Sequence, residues 1–217
     1  MKCRYISRIF FFALLLFLIA SCKDKIRKET TVYTNDFERG SLANIENGFI
    51  TVYNGSSVLG RYNNGYFNIK LNDLPQHDLI TITFDLYIHD RWDGNKTAPD
   101  GPDIWQMWVD DKTYINTTFS NLDCPPGYFC SPQSYPFNYP NNYNSPKAGA
   151  YRTDLPGVCG IVGPNGTTQY KIEKTFVHTN NTLSLRCLDK LVQDNANDKK
   201  CDESWSVDNI SIKAIIL

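Results

Sequence analysis

Between residues 79 and 89 the chain reads Leu-Ile-Thr-Ile-Thr-Phe-Asp-Leu-Tyr-Ile-His, and apolar and polar side chains alternate without a break. Ile80, Ile82, Phe84, Leu86 and Ile88 fall on one side, and Thr81, Thr83, Asp85, Tyr87 and His89 on the other. A period of two is the pattern of a β-strand with one face buried. Further strand-like runs lie at 49–53, 66–71, 104–109, 114–119, 169–176, 182–187 and 206–216. Turn dipeptides separate them: Asn47-Gly48, Asn54-Gly55, Asn64-Gly65, Asp93-Gly94 and Asn165-Gly166. Such pairs favour the left-handed backbone that tight connections require. Beyond the first 22 residues no window of helical length shows a 3.6-residue period with caps. Many short strands between Gly, Asn and Pro turns predict an all-β, two-sheet antiparallel sandwich.

One segment breaks the pattern. Residues 121–157 hold seven of the eleven prolines and five tyrosines, and no strand pattern survives there. A connection of that length is uncommon in a compact domain, and its aromatic content argues against simple disorder. The expectation is an ordered loop, packed by Tyr128, Phe129, Tyr135, Phe137 and Tyr139 over one end or face of the sandwich.

The N-terminus follows a different logic. Lys2, Arg4 and Arg8 form a basic head, Phe10 to Ile19 is an uncharged apolar run, and Ala20-Ser21-Cys22 follows directly. The run is shorter than the roughly 20 residues of a permanent membrane span and matches an export signal. Ile19-Ala20-Ser21-Cys22 resembles a bacterial lipobox. The resemblance implies cleavage before Cys22, lipidation of Cys22 and a membrane-tethered protein outside the cytoplasm, in the bacterial cell envelope. Residues 1–21 are then the signal, 22–30 a polar tether and 31–217 the sandwich.

Composition narrows the partners. The chain carries a formal charge of −1, and its signal holds three cations and no acid, so the mature protein is more acidic still. Nucleic acid is an unsuitable partner, because phosphate binding needs clustered Lys and Arg. Of seven cysteines, Cys3 lies in the signal and Cys22 is the lipid site, leaving Cys124, Cys130, Cys159, Cys187 and Cys201. Exported thiols tend to pair, and five is odd. The favoured pairs are Cys124–Cys130, closing a small loop, and Cys187–Cys201, clasping the polar stretch between them, with Cys159 free. The cysteine spacings match no zinc ribbon.

The densest polar cluster is Asp90-Arg91-Trp92-Asp93-Gly94 with Asp100-Gly101-Pro102-Asp103-Ile104-Trp105, a loop after the clearest strand. Carboxylates around a Gly turn suit a hard cation or sugar hydroxyls beside a Trp face; equally, they cap turns while Trp fills core. A second cluster, Asp202-Glu203-Ser204-Trp205 with Asp208-Asn209, opens the last strand. Glycoside cleavage would need a carboxylate pair at a set distance, and no single-strand Glu-x-Asp-x-x-Glu run is present. No Gly-x-Ser-x-Gly occurs either. His77, His89 and His178 stand far apart with no ligand spacing.

Asn35-Asp36-Phe37-Glu38 near the start and Trp205-x-x-Asp208-Asn209-Ile210 near the end resemble the paired ends of exported jelly-roll modules, among them carbohydrate-binding modules and lectin- or laminin-G-like domains. That resemblance implies a structural Ca²⁺ near Asp36, Glu38 and Asp208. Phe84-Asp85-Leu86-Tyr87-Ile88, Trp92-Asp93-Gly94, Gly101-Pro102-Asp103-x-Trp105, Thr117-Thr118-Phe119-Ser120-Asn121, Gln133-Ser134-Tyr135-Pro136 and Asp202-Glu203-Ser204-Trp205 together resemble a group of secreted bacterial domains without an assigned activity. The chain departs from that group at Arg91, at Ser206 and in the Cys124–Cys130 insert. The expected function is non-catalytic binding of an extracellular glycan through Trp92, Asp93, Asp103, Tyr135 and Tyr139. The alternatives are a structural or adhesive protein that binds another surface protein, and a glycan-cleaving hydrolase.

Overall fold

The computed structural model describes residues 26–192 and 197–217. Cys22 and the export signal lie outside the described residues. Two antiparallel sheets face each other as a jelly-roll sandwich. The first runs β3 (Ile50–Tyr53), β4 (Ser56–Tyr62), β12 (Glu203–Ile216), β6 (Leu79–Asp90), β10 (Thr167–Val177) and β9 (Arg152–Leu155), with β1 (Lys28–Asn35) also paired to β12. The second runs β2 (Ile45–Glu46), β5 (Tyr66–Leu71), β11 (Leu183–Lys190), β7 (Ile104–Val109) and β8 (Lys112–Thr118). A four-residue helix, α1 (Lys199–Asp202), precedes β12, with Asp198 as its N-cap.

The alternation in β6 does what it predicts. Ile80, Ile82, Phe84, Leu86 and Ile88 are all buried in the main core. Facing residues from the second sheet, Phe67, Ile69, Met107 and Leu185, close the layer. Trp92, Trp105 and Trp205 have no exposed surface. The Trp105 and Trp205 rings meet edge to face at 5.8 Å, a favoured arrangement for aromatic quadrupoles. Asn47, Asn54, Asn64 and Asn165 all take positive φ, as their Asn-Gly turns anticipate.

Strand β12 organises the first sheet. Its first half pairs with β4 through Val207, and its second half pairs with β1 from Ile210. The handover sits at an irregularity between Asp208 and Ser211 in the pairing with β6. Asn209 takes φ 53° there and its amide donates to Asp85 Oδ2 at 3.0 Å. A bulge of this kind twists the strand and re-aims its side chains, which lets one strand serve two partners.

Four sequence expectations need correction. Strand β1 begins at Lys28, inside the expected tether, because β12 is long enough to pair with it as far as Ile216. Strand β9 lies in the stretch read as strandless, held by the edge of β10. The predicted bond Cys124–Cys130 forms, but Cys201 pairs with Cys159, not Cys187. Cys187 instead points into the core from β11, with no exposed surface. Its neighbours Leu185 and Asp189 share that buried face, so a partner reached through solvent-side loops is out of its range.

The Pro/Tyr-rich loop is anchored by a buried glutamine. Gln133 Oε1 accepts from the backbone of Ser120 and Lys147 and from the Tyr170 hydroxyl, while Nε2 donates to Ala148 O at 2.9 Å. Tyr135 packs on Phe119 and Tyr170 at 5.0 and 4.9 Å. Tyr128, Phe129 and Phe137, expected to pack, are exposed. At the far end of β6, the separated histidines meet. His77 Nε2 lies 2.6 Å from His178 Nδ1, and His178 Nε2 lies 2.8 Å from Asp110 Oδ2. Asp110 also accepts from Ser184 N, so this chain links the two sheets.

Candidate functional site

The expected glycan contacts do not form a site. The Trp92 ring is fully buried against Phe119, and its Nε1 donates to Ser204 O at 2.9 Å. Asp103 is equally enclosed: its carboxylate accepts from Asp93 N at 2.5 Å and Val192 N at 3.4 Å. Burial pushes its pKa up to about 7. Both residues are corrected to structural roles, since a carboxylate and an indole with no exposed surface touch no ligand. Asp93 stays partly exposed and pairs with Lys96 at 3.3 Å. Tyr135 is partly covered by Phe119 and Tyr170, and Tyr139 is tied through its backbone to Asn116 O at 2.8 Å.

The acidic trio lies where β12 changes partners. Asp36 and Glu38 occupy the turn after β1, and Asp208 the bulge. Glu38 accepts from the Ser56 hydroxyl and from Ser57 N, which lowers its pKa. Burial, and then the charges of Asp85, Glu38 and Asp36, push Asp208 up to about 6. The oxygens suit a hard cation. Among the described residues, however, no three His, Cys, Asp or Glu side chains converge as a bound metal would require.

A groove of about 390 Å³ opens elsewhere, between the β2–β3 turn, the β4–β5 turn and α1. Its lining is Asn47, Gly48, Phe49, Tyr62, Asn63, Asn64, Gly65, Tyr66 and Lys200. An aromatic ladder climbs to it from the core. Trp205 meets Tyr62 at 4.8 Å, and Tyr62 meets Phe49 at 4.8 Å. Phe49 and Tyr66 keep 37% and 38% of their surface exposed, enough to present ring surface to a ligand.

The groove walls are fixed. Asp189 on β11 accepts from the backbone N–H of Asn64 at 2.5 Å and Gly65 at 3.0 Å, and from Trp205 Nε1 at 2.7 Å. The Asn64 side chain clasps Leu191 through its N–H and carbonyl. Asn63 donates to Lys199 O and Glu203 O, holding the helix against the turn. The Tyr62 hydroxyl donates to Asn47 O at 3.0 Å. The Cys159–Cys201 disulfide ties α1 to the segment that follows β9. Among the described residues, the Asn47 amide, the Tyr66 hydroxyl and the Lys200 ammonium have no hydrogen-bonding partner and are available to a ligand.

Sequence reasoning read both Asn-Gly pairs as turns only and missed this site. The signal was nonetheless there: Asn47-Gly48-Phe49 and Asn64-Gly65-Tyr66 repeat one Asn-Gly-aromatic triplet. Each places a ring on the first residue after a tight turn. Only the fold brings the two triplets to one groove.

No protein-family model matches the chain, and no curated protein matches it. Among solved structures it is similar to a family 35 carbohydrate-binding module from Clostridium thermocellum, at 11% identity and a TM-score of 0.37, covering 85% of this chain and 97% of that one. It is also similar to the mannan-recognising carbohydrate-binding module TmCBM27, at 10% identity and a TM-score of 0.38, covering 86% and 98%. A third is the C-terminal CBM6 of LamC from Zobellia galactanivorans, at 8% identity and a TM-score of 0.34, covering 85% and 98%. Function is therefore read from this chain's own geometry.

Proposed function

We propose that this chain is a non-catalytic glycan-binding protein, held outside the cytoplasm by a lipid on Cys22, and that the groove over the Asn-Gly-aromatic turns is its binding site. The observation that carries the reading is the groove's make-up: two half-exposed rings on rigid turns beside unspent polar groups. Ligand sites combine apolar surface with a few placed polar groups. Here the rings offer a platform for the apolar face of a sugar, and Asn47, Tyr66 and Lys200 offer bonds to its oxygens. Among the described residues no carboxylate lines the groove, whereas glycoside cleavage requires a pair of them, which favours binding over cleavage there.

The test is a glycan-array screen of the soluble portion, followed by titration of each hit against Phe49→Ala. The variant is expected to lose at least tenfold in affinity while its melting temperature stays close to the parent's. Unchanged affinity in Phe49→Ala refutes the groove. Run with Ca²⁺ and then with chelator, the same material tests the cation reading at Asp36, Glu38 and Asp208. A cation there would offset the charges of Asp85, Glu38 and Asp36 that add to burial in raising Asp208, so added Ca²⁺ should raise the melting temperature, and no response removes the cation reading. For the tether, Cys22→Ser should move the protein from the membrane fraction to the soluble one. Retention in the membrane fraction refutes the lipid anchor.

A further inference from the structure

The groove's charge is one-sided. Among the described residues Lys200 is the one charged residue in its lining, and its ammonium lies 4.9 Å from the centre of the Phe49 ring. The second ring is matched: the Arg186 guanidinium lies 4.1 Å from the centre of Tyr66. Each of the two exposed groove aromatics therefore carries a cation. Neither cation takes part in an ion pair among the described residues, although nine such pairs occur elsewhere among them.

Among the described residues, the acids near these positions in the chain are already engaged. Glu46, just before Asn47, holds Lys70 at 2.7 Å and Asn68 at 3.2 Å. Asp189 faces the core and accepts three N–H groups. Asp198 caps α1 through the N–H groups of Lys200 and Cys201. Asp202 lies 3.5 Å from Arg91. Lys200 is also held in place. Its backbone oxygen accepts from Arg61 at 3.2 Å, the next residue is tethered to Cys159, and Asn63 bonds the carbonyl of Lys199. An unpaired cation on an anchored turn loses less entropy on binding than one on a free chain.

We propose that the groove selects anionic sugars, with a carboxylate or sulfate ester bound by Lys200 and supported by Arg186. This inference rests on the groove being the glycan site. An anion that comes up beside either ring, on the open side of its cation, meets a cation already desolvated on one side by that ring. The charge-assisted bond it forms is about twice as strong as a neutral one.

The test titrates the soluble portion with oligogalacturonides, with the same oligosaccharides as methyl esters, and with a sulfated galactan. The ester keeps the ring and removes the charge. Expected are binding of the free acid or of the sulfated galactan, at least tenfold weaker binding of the ester than of the acid where the acid binds, and weakening with added salt. Which anionic probe binds identifies the source of the anion. Lys200→Gln should remove the discrimination against neutral sugar, and Lys200→Arg should restore most of it. If acid and ester bind equally and Phe49→Ala abolishes both, the groove stands and its charge selectivity falls. If Lys200→Gln leaves the preference for the anion intact, the assignment to Lys200 falls. If none of the probes binds and the array also yields no hit, the glycan reading itself falls and takes this inference with it.

Discussion

Two regions of the molecule use the same residue types to opposite ends. The Asp90–Trp105 connection holds two tryptophans and several carboxylates, yet Trp92, Trp105 and Asp103 are sealed inside. Among the described residues the groove has no tryptophan and no acid in its lining, yet it presents rings and free polar groups to solvent. The difference lies in what covers each loop. Segment 121–157 folds back over the first region: Gln133 bonds Ser120, Asn121 donates to Asp90 O and Gly166 O, and Pro132 O accepts from Asn95. Gly94 shows how tight that cover is, because a Cβ there would lie 2.4 Å from Pro132 O. The second region is formed by short turns, and among the described residues Phe49 and Tyr66 keep 37% and 38% of their surface exposed there. Indole and carboxylate thus serve as core and cap in the first region, while smaller rings serve as surface in the second.

The comparison can be broken most forcefully at Trp92. If it is core, Trp92→Ala should cost about 3–5 kcal/mol of stability, read by denaturant or thermal melting. A stable variant that has lost only glycan binding would reverse the two regions. Next in size is the disulfide that fixes α1 beside the groove. Cys159→Ser should cost about 2–4 kcal/mol and weaken glycan binding, whereas the Cys124–Cys130 loop should be removable without change in affinity. Equal effects of the two on binding would show that the groove does not depend on α1.

A smaller effect is expected with pH. Burial raises Asp103 to about 7, well above the ordinary value near 3.9. The folded protein therefore binds the proton more tightly than the unfolded chain, and stability falls as pH rises from about 4 to about 7. Asp103→Asn should flatten that slope, and an unchanged slope would mean the carboxyl is solvated. His89 works in the opposite sense: burial, then Arg61, lowers it to about 3, so its contribution is lost as pH falls from about 6.5 toward 3. Smallest of all, Asn47→Gly, which removes the side-chain amide and keeps the positive φ of this turn without strain, should shift stability by about 0.5 kcal/mol or less and act on binding alone.

Much of the architecture is legible along the chain. The alternation from Ile80 to Ile88, the Asn-Gly turns and the runs that become β5, β7 and β11 follow from local sterics and a single buried face, both of which a sequence displays directly. The short edge strands β2 and β9 and the early start of β1 are not, because each depends on the neighbour that pairs with it. The cysteines divide the same way. Cys124 and Cys130 are close enough in sequence to meet whatever the fold, whereas Cys159 and Cys201 meet across 42 residues only because the β9–β10 connection and α1 lie side by side.

The candidate site shows the limit most clearly. Sequence alone determined that this is a sandwich of strands with a core of apolar side chains from alternate positions, since a period of two and turn chemistry are properties of neighbouring residues. Tertiary structure decided which aromatic rings are exposed, which histidines meet and which cation lies unpaired beside a groove. Exposure and electrostatic pairing depend on what packs from elsewhere in the chain, and no local pattern carries that information.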